Sequence, residues 1–217
     1  MGNCCGRGST AVDDNFAGFD LTGTNDPKVI ARETCFTEDE VYALFELFRQ
    51  VSTSVVADGL IHKDEFSVAI FKTSKTNLFV ERVFELFDVK KNGVVDFGEF
   101  VRSLSVFHPH APLRDKIDFS FNIYDMKHTG VIEKDEVSHL LLALLHENPD
   151  LRLPKEAVAD LVDRTFQEVD KSKSGYISKE EWHTLCSQNP TVIAYMTLSV
   201  LKELTTRFPS FVFKKQT

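Results

Sequence analysis

The chain has 217 residues, of which 42% are apolar and 27% are charged, proportions that are ordinary for a globular protein. Its formal net charge of -8 argues against nucleic acid as a partner, because phosphate binding requires an excess of Lys and Arg. No apolar run reaches the roughly 18 residues of a membrane-spanning helix, no signal-peptide segment is evident, and the four cysteines lack disulfide or zinc-site spacing, so we expect a reducing cytosolic compartment.

The first residues, 1–28, are predicted to form a flexible, acylated arm. They are rich in Gly, Ser, Thr, Asn and Asp. The arm begins MGNCCG, which offers Gly2 for N-myristoylation and Cys4 and Cys5 for S-acylation, although Gly6 stands where the usual motif has Ser or Thr. One acyl chain holds a protein only marginally on a bilayer, whereas two hold it stably. We therefore expect the cytoplasmic face of the plasma membrane, with the vacuolar membrane or the cytosol as alternatives.

After the arm, the chain is predicted to be all-α, with four helix–loop–helix units that form two pairs. Thr37 and Glu40 have the spacing of a capping box, and a helix with a 3.6-residue apolar period follows them. Similar stripes begin near Leu78, Ile117 and Val158, and each runs into a polar loop and a second amphipathic segment. The predicted divisions are 29–106 for the first pair, 107–189 for the second, with 107–112 as the joint, and 190–217 for a C-terminal helix and tail.

Three loops repeat a twelve-residue pattern of oxygen-bearing side chains. They read DVKKNGVVDFGE from Asp88, DMKHTGVIEKDE from Asp125 and DKSKSGYISKEE from Asp170. Ca2+ takes about seven oxygens, and such a loop supplies them from places 1, 3, 5, 7 (a carbonyl), 9 and 12, with glycine at place 6 for the sharp bend. The apolar residue at place 8 predicts that the loops pair as small β-ladders. The candidate Ca2+ ligands are Asp88, Asn92, Val94 and Glu99 in the second loop, Asp125, Thr129, Val131 and Glu136 in the third, and Asp170, Ser172, Ser174, Tyr176 and Glu181 in the fourth.

The second and third loops depart from the pattern at place 3. Lys90 and Lys127 stand there, and lysine has only donors, so it cannot ligate a cation. We expect these lysines to turn outward and water to take their place. The charges at places 1, 3, 5, 9 and 12 sum to -2 in each of the three loops, so we predict moderate affinities, with the fourth loop the best because it lacks the lysine.

The first loop, residues 52–65, fits the pattern less well. Gly59 and Glu65 have the spacing of places 6 and 12, but counting back from Gly59 puts Val56 at place 3, where its side chain cannot ligate. One interpretation is a loop that does not bind. The other is a fourteen-residue loop that begins at Ser52 and replaces the missing carboxylates with backbone carbonyls. The residues by themselves slightly favour the loop that does not bind.

Ca2+ binding by such a unit reorients its helices and opens an apolar groove that accepts an amphipathic helix. Here phenylalanine would line the groove, although most phenylalanines in such helices form the core. The candidates are Phe45, Phe48, Phe71, Phe84, Phe87, Phe100, Phe107, Phe119 and Leu142.

The tail contains FPSFVF, an apolar segment near a chain end that would normally be polar. We expect it to fold back over an apolar surface as a lid that competes with the partner helix. Ser210 lies inside this segment, where a phosphate would add about -1.5 to -2 charges.

Several stretches resemble the calcineurin B-like calcium sensors of plants, a family of EF-hand proteins. They are LSVFHPHAPLRDKIDFSFNIYD at 104–125, DGLIHKDEF, ERVFELFD and TLSVLKELTTRFPSFVF, and the likeness runs from about residue 26 to residue 213. The resemblance implies two EF-hand lobes and a regulatory, non-catalytic role. Such proteins bind a short regulatory motif in serine/threonine kinases of the calcineurin B-like-interacting family and relieve autoinhibition.

The resemblance has three further implications for this chain. It implies that the first loop is the fourteen-residue variant, that the acylation of the arm is double, as in some members, and that the partner kinase phosphorylates Ser210. The ligands that it implies for the first loop are Ser52, Val55, Asp58, Leu60 and Glu65.

Other function classes remain as alternatives. A passive Ca2+ buffer would need tight sites, which the two lysines at place 3 argue against. A regulatory subunit of a calcineurin-type phosphatase shares the architecture, but the central segment and the tail favour kinase binding. An enzyme is not expected, because we find no phosphate loop or nucleophile elbow, and His108 and His110 are not expected to bind zinc. A weak homodimer is kept as a further association.

Overall fold

The computed structural model describes residues 21–71, 78–108, 110–147, 153–189 and 192, apart from the side chains of residues 71, 144, 146 and 147. Within these ranges the fold is all-α, as predicted, and contains four helix–loop–helix units. The helices are α1 (Pro27–Glu33), α2 (Glu38–Val51), α3 (Lys63–Phe71), α4 (Leu78–Phe87), α5 (Phe97–Ser105), α6 (Leu113–Tyr124), α7 (Lys134–Glu147), α8 (Lys155–Val169) and α9 (Lys179–Gln188). The strands are β1 (Ile61–His62), β2 (Val94–Val95), β3 (Val131–Glu133) and β4 (Tyr176–Ser178). None of the described helices combines the length and the hydropathy that would let it cross a membrane.

The loops pair through two short antiparallel ladders. β1 pairs with β2, with Ile61 opposite Val95, and β3 pairs with β4, with Ile132 opposite Ile177. These four residues occupy place 8 of their loops, and all of them are buried. The apolar residue at place 8 therefore joins the first loop to the second and the third loop to the fourth.

Capping boxes begin three of the helices. At the start of α2, Thr37 Oγ1 accepts the Glu40 N–H at 3.3 Å and the Glu40 carboxylate accepts the Thr37 N–H at 2.8 Å, as predicted. The same arrangement begins α5 and α9, where the boxes are Asp96–Glu99 and Ser178–Glu181. Those partners are places 9 and 12 of a loop, so the helix that leaves each of these loops is capped by the loop's own residues.

Phenylalanine dominates the core of the first pair. Phe45 and Phe97 meet edge to face with ring centroids 5.2 Å apart, and Phe66 and Phe87 do so at 5.0 Å. The second pair has a separate core around Phe121, Phe166 and Trp182, and Trp182 Nε1 donates to the Ser120 hydroxyl at 2.9 Å. Each pair of units therefore has its own apolar centre.

Most of the residues predicted to line a partner groove lie in the core in this conformation. Six of them are at most 6% exposed and belong to the first cluster: Phe45, Phe48, Phe84, Phe87, Phe100 and Phe107. Phe119 and Leu142 are partly buried against the two cores, and the Phe71 side chain is outside the described part. These rings would have to leave the core before they could contact a partner helix.

The two pairs contact one another through α4, α6 and α7. Ile123 of α6 and Leu140 of α7 are buried within the cluster of the first pair, and Tyr124 packs against both clusters. Burial of its ring raises the pKa of the Tyr124 hydroxyl. The joint at 107–112 is thus reinforced by helix packing.

The folded body begins earlier than the predicted boundary at residue 28. Residues 23–25 form a short 3-10 helix, and Asp26 caps α1 by accepting the Lys28 N–H at 2.8 Å, with Pro27 at the first helical position. Arg102 of α5 holds this segment by donating to the Thr24 carbonyl at 2.6 Å and to Glu33. The composition of the segment is that of a loop, and these contacts from α5 give it its structure.

Four predicted modification sites and, apart from residue 192, the predicted last helix lie outside the described residues. The sites are Gly2, Cys4, Cys5 and Ser210, and the helix is the one predicted within residues 191–207.

Candidate calcium-binding loops

In the second, third and fourth loops the carboxylate at place 1 is turned into the loop. It accepts hydrogen bonds from the backbone N–H groups at places 5 and 6, at 2.8–3.0 Å: Asp88 from Asn92 and Gly93, Asp125 from Thr129 and Gly130, and Asp170 from Ser174 and Gly175. The glycines at place 6 have φ angles of 81°, 79° and 89°, which are strained for any residue with a side chain. The bend wraps the backbone around the carboxylate.

The glutamate at place 12 closes each loop from the other side. One of its oxygens accepts the N–H at place 3 and the other accepts the N–H at place 9, at 2.8–3.0 Å: Glu99 from Lys90 and Asp96, Glu136 from Lys127 and Glu133, and Glu181 from Ser172 and Ser178. Glu136 is fully buried and Glu99 is 6% exposed. Since Glu99 and Glu181 also lie in the first turns of α5 and α9, each is shared by a loop and a helix.

The hydroxyls of the fourth loop gather around Asp170. Ser172 Oγ lies 3.0 Å from Asp170 Oδ1, and Ser174 Oγ lies 3.2 Å from Ser172 Oγ and 2.9 Å from the Tyr176 carbonyl. Oxygens that share a Ca2+ ion at 2.3–2.6 Å stand about 3 Å apart. Places 1, 3, 5 and 7 of this loop therefore already present oxygens at the spacing that a calcium shell requires.

The acids of the fourth loop are held in their charged form. Desolvation acts to raise the pKa of Asp170, but the N–H groups of Gly175 and Ser174 outweigh it and lower that pKa. Desolvation likewise opposes a lowered pKa at Glu181, where the N–H groups of Ser178 and Ser172 prevail. Ionised carboxylates are what a divalent cation needs.

The lysines at place 3 form ion pairs with carboxylates of their own loops. Lys90 pairs with Asp96, which is place 9 of its own loop, and the hydrogen bond raises the pKa of Lys90. Lys127 Nζ lies 2.7 Å from Asp135 and 2.5 Å from Glu133, which is place 9 of the third loop, and these bonds raise its pKa. Each ammonium binds a loop carboxylate, because places 3 and 9 face each other across the loop.

The first loop spans fourteen residues, because α2 ends at Val51 and Ser52 is its C-cap. Glu65 is 1% exposed and accepts the N–H groups of Val55, Val56 and His62 at 3.0–3.1 Å, as the other glutamates at place 12 do with their loops. The loop therefore has the fourteen-residue length that the resemblance implied, and not the twelve residues obtained by counting back from Gly59.

Asp58, another predicted ligand of the first loop, bonds to residues within its own loop. The Asp58 carboxylate lies 2.7 Å from His62 Nε2 and accepts the Leu60 N–H at 3.0 Å, and the bond to His62 lowers the pKa of Asp58. Ligation by Ser52, Val55, Asp58, Leu60 and Glu65 stays a prediction.

The donor sets of the loops fit Ca2+. An ionised carboxylate has about four acceptor positions, so the two N–H bonds at each of Glu99, Glu136 and Glu181 leave free lone pairs for a metal. Among the described residues no three His, Cys, Asp or Glu side chains converge on a single point. The second, third and fourth loops instead combine their carboxylates with amide, hydroxyl or carbonyl oxygen, which is the hard donor set that Ca2+ prefers.

Comparison with known proteins also identifies these loops as parts of EF-hand units. A family model described as an EF-hand domain pair matches residues 114–187, and an EF-hand model matches residues 79–105. The chain is 38% identical over 188 residues to Calcineurin B-like protein 5 of Arabidopsis thaliana, which covers 86% of this chain and 92% of the relative.

Two proteins named for calcineurin are more distant relatives. The chain is 32% identical over 163 residues to the calcineurin B subunit of Schizosaccharomyces pombe, covering 75% of this chain and 88% of the relative. It is 29% identical over 160 residues to the type 2 calcineurin B subunit of Dictyostelium discoideum, covering 74% and 83%. With the loops as described above, the chain belongs to the calcineurin B-like family of EF-hand calcium sensors.

Proposed function

We propose that the chain is a non-catalytic calcium sensor that binds the regulatory helix of a serine/threonine kinase of the calcineurin B-like-interacting family when Ca2+ fills its loops. The observation that carries this proposal is the position of Glu99, which closes the second loop and is also the third residue of α5. A ligand that attracts this carboxylate also moves the helix.

The helix α5, in whose first turn Glu99 lies, carries an aromatic side chain that is buried in the core of the first pair. Phe100 follows Glu99 directly, is fully buried, and packs against Phe48 and Phe87 with centroids 5.7 and 6.4 Å apart. When bound, Ca2+ supplies the charge that draws the glutamate inward, and the turn of α5 then shifts Phe100 relative to α2 and α4. The rings that form the closed core would become the surface of an apolar groove.

The test is a binding assay with a peptide that carries the kinase regulatory motif, performed with Ca2+ and with a chelator. We expect binding only with Ca2+, and we expect the Glu99→Gln/Glu136→Gln protein to lose it. A helix from a calcineurin-type phosphatase is the second arm, since two relatives are named as calcineurin B subunits. Binding to the phosphatase helix alone would replace the kinase by the phosphatase, and binding to neither would leave a calcium buffer.

We also propose that the arm anchors the sensor to the plasma membrane through Gly2, Cys4 and Cys5. The support is the MGNCCG start, in which two kinds of acyl chain together would hold the protein stably. Gly2→Ala should release the protein from membranes in a fractionation experiment. A Gly2→Ala protein that stays membrane-bound would contradict the lipid anchor.

Ser210, which lies within the apolar FPSFVF segment, is proposed as the residue that the bound kinase phosphorylates, as the resemblance to the calcineurin B-like sensors implies. A phosphate there would add about two negative charges and oppose the return of the tail onto an apolar surface. Ser210→Ala should abolish labelling by the kinase, and unchanged labelling would remove this proposal.

A further inference from the structure

A buried arginine of the first pair contacts the third loop. Arg82 of α4 is 3% exposed, and its guanidinium donates to the Asn122 carbonyl at 3.0 Å and to the Asp125 carbonyl at 2.7 Å. The last carbonyls of α6 have no partner within the helix, so Arg82 satisfies groups that would otherwise be buried without a donor. Asp125 is place 1 of the third loop, and Arg82 therefore fixes the point where that loop begins.

Glu85 extends this contact to a second loop. It lies one turn after Arg82 on α4 and forms an ion pair with it. The Glu85 carboxylate also lies 3.4 Å from His128 Nε2 and 3.7 Å from Lys91 Nζ. Lys91 and His128 hold place 4 in the second and third loops, and both have left-handed backbones, with φ of 56° and 55°. One carboxylate thus contacts the same place in two loops.

The second and third loops have no strand pairing with each other in the described part of the chain, where the ladders join the first loop to the second and the third to the fourth. We propose that Arg82 and Glu85 couple the second loop to the third and make calcium binding at one loop depend on the other. Calcium binding by these loops, which is part of the function proposed above, is a premise of this coupling.

The coupling follows from the geometry of the guanidinium. Its planar fork meets two carbonyls only at one orientation of α4 relative to α6. A rearrangement of the second loop around a bound ion would move the end of α4 and Lys91, and this would change the position of Arg82 against Asp125. Calcium at the third loop stabilises the same contact from the other side, and by thermodynamic reciprocity the two affinities change by the same factor.

Amide NMR during calcium titration tests the coupling, because Gly93 and Gly130 at place 6 report on the second and third loops separately. In the wild-type protein we expect Glu99→Gln to shift the calcium midpoint at Gly130 to a concentration on the order of tenfold higher. In an Arg82→Met background the same Glu99→Gln change should shift that midpoint by less than about twofold. Arg49→Met is the matched control, since Arg49 also pairs with a glutamate three residues away, Glu46, and should leave the tenfold shift intact.

A calcium-free measurement tests the contact by itself. The Thr129 and Gly130 N–H groups donate to Asp125, so their hydrogen exchange reports how firmly the third loop is closed. Exchange should be faster in Arg82→Met than in Arg49→Met. Arg82→Lys keeps the charge but loses the fork, so it should show the same changes even if Arg82→Met is too unstable to study.

The outcomes separate this inference from the proposed function. If neither glycine amide shifts with calcium in the wild-type protein, both the sensor function and the coupling are overturned. If both amides shift but Glu99→Gln leaves the Gly130 midpoint unchanged, or if the shift persists in Arg82→Lys, the coupling is overturned and the sensor function stands.

Discussion

At the scale of single residues, the lysine at place 3 turns a calcium ligand position into an internal counter-ion. Lys90 neutralises Asp96 in the same loop that must attract a divalent cation. The loop can therefore stay closed without calcium, since part of its charge is already satisfied. The same arrangement of Lys127 and Glu133 in the third loop shows that the device is repeated.

Replacing this lysine should tighten calcium binding. Lys90→Ser puts at place 3 the residue that the fourth loop has there, Ser172, and takes the charge over the five ligand places from -2 to -3. We expect an affinity on the order of tenfold higher at the second loop, because ligand charge tunes such loops over a wide range. Calorimetric calcium titration measures it, with Lys28→Ser as the control that removes one positive charge from an exposed part of α1. Equal affinities in the two variants would contradict a specific role for Lys90.

His108 makes folding stability depend on pH. Burial lowers the pKa of His108 below its usual 6.5, against the opposing effect of Glu40. Because the folded state holds the neutral form, its stabilising contribution is present above about pH 6.5 and is lost as pH falls through that value toward the lowered pKa. His110 and Lys116 add positive charge nearby and act in the same direction.

Urea unfolding in the presence of a chelator measures this dependence. The free energy of unfolding should fall on acidification from about pH 7.5 to about pH 5.5. His108→Gln should flatten the decline, whereas His139→Gln, at an exposed site on α7, should not. A His108→Gln protein with the wild-type slope would show that other groups carry the pH dependence.

At the scale of elements, the helices begin where side chains satisfy their first N–H groups. Thr37→Ala removes the acceptor for the Glu40 N–H and breaks the reciprocal box at the start of α2. We expect a loss of about 1 kcal/mol in the free energy of unfolding, the usual effect of a lost N-cap. Chemical denaturation measures the loss against Thr53→Ala, whose exposed hydroxyl donates to the Arg49 carbonyl and takes no part in a capping box. Equal stabilities of the two variants would indicate that the start of α2 is fixed by tertiary packing.

The sequence predicted the elements whose causes are local. The capping box at Thr37 and Glu40, the glycine at place 6 and the apolar place 8 each depend on neighbouring residues, so their spacing was sufficient. The start of α1 was missed although Asp26 and Pro27 are local signals of a helix start, whereas the contact of Arg102 with Thr24, 78 residues away in the chain, could not be read from spacing. The contact of Arg82 with Asp125 was missed for the same reason, since spacing within one segment carries no information about a donor from another helix.

The loops themselves show the same division. Their lengths and most carboxylates could be identified from spacing, but the pairing of Lys127 with Glu133 and Asp135 requires knowledge of which way the side chain turns. The fourteen-residue first loop was predicted by resemblance, because the backbone ligands expected of such a loop leave no mark on side-chain identity. The structure supplied the physical reason, which is that α2 ends at Val51.

At the scale of the whole molecule, calcium should stabilise the fold by mass action. A ligand that binds only the folded state adds about 2.7 kcal/mol per site at a hundredfold excess over its dissociation constant. Because Ile123 and Leu140 of the second pair lie in the core of the first, the gain at one loop should raise the unfolding midpoint of the entire chain. Thermal unfolding with and without calcium measures it.

Glu136→Gln separates this effect from ordinary packing. The side chain is fully buried, and each of its two oxygens accepts a backbone N–H, so the glutamine amide would set its NH2 against one of these donors and the calcium-free variant should unfold at a lower temperature than the wild type. With calcium in excess, the same variant should gain less stability than the wild type, by about the contribution of one site. Unfolding without calcium thus measures the structural role of Glu136, and the calcium-dependent gain in stability measures its role in metal binding. A calcium-dependent gain equal to that of the wild type would show that the third loop does not hold the ion.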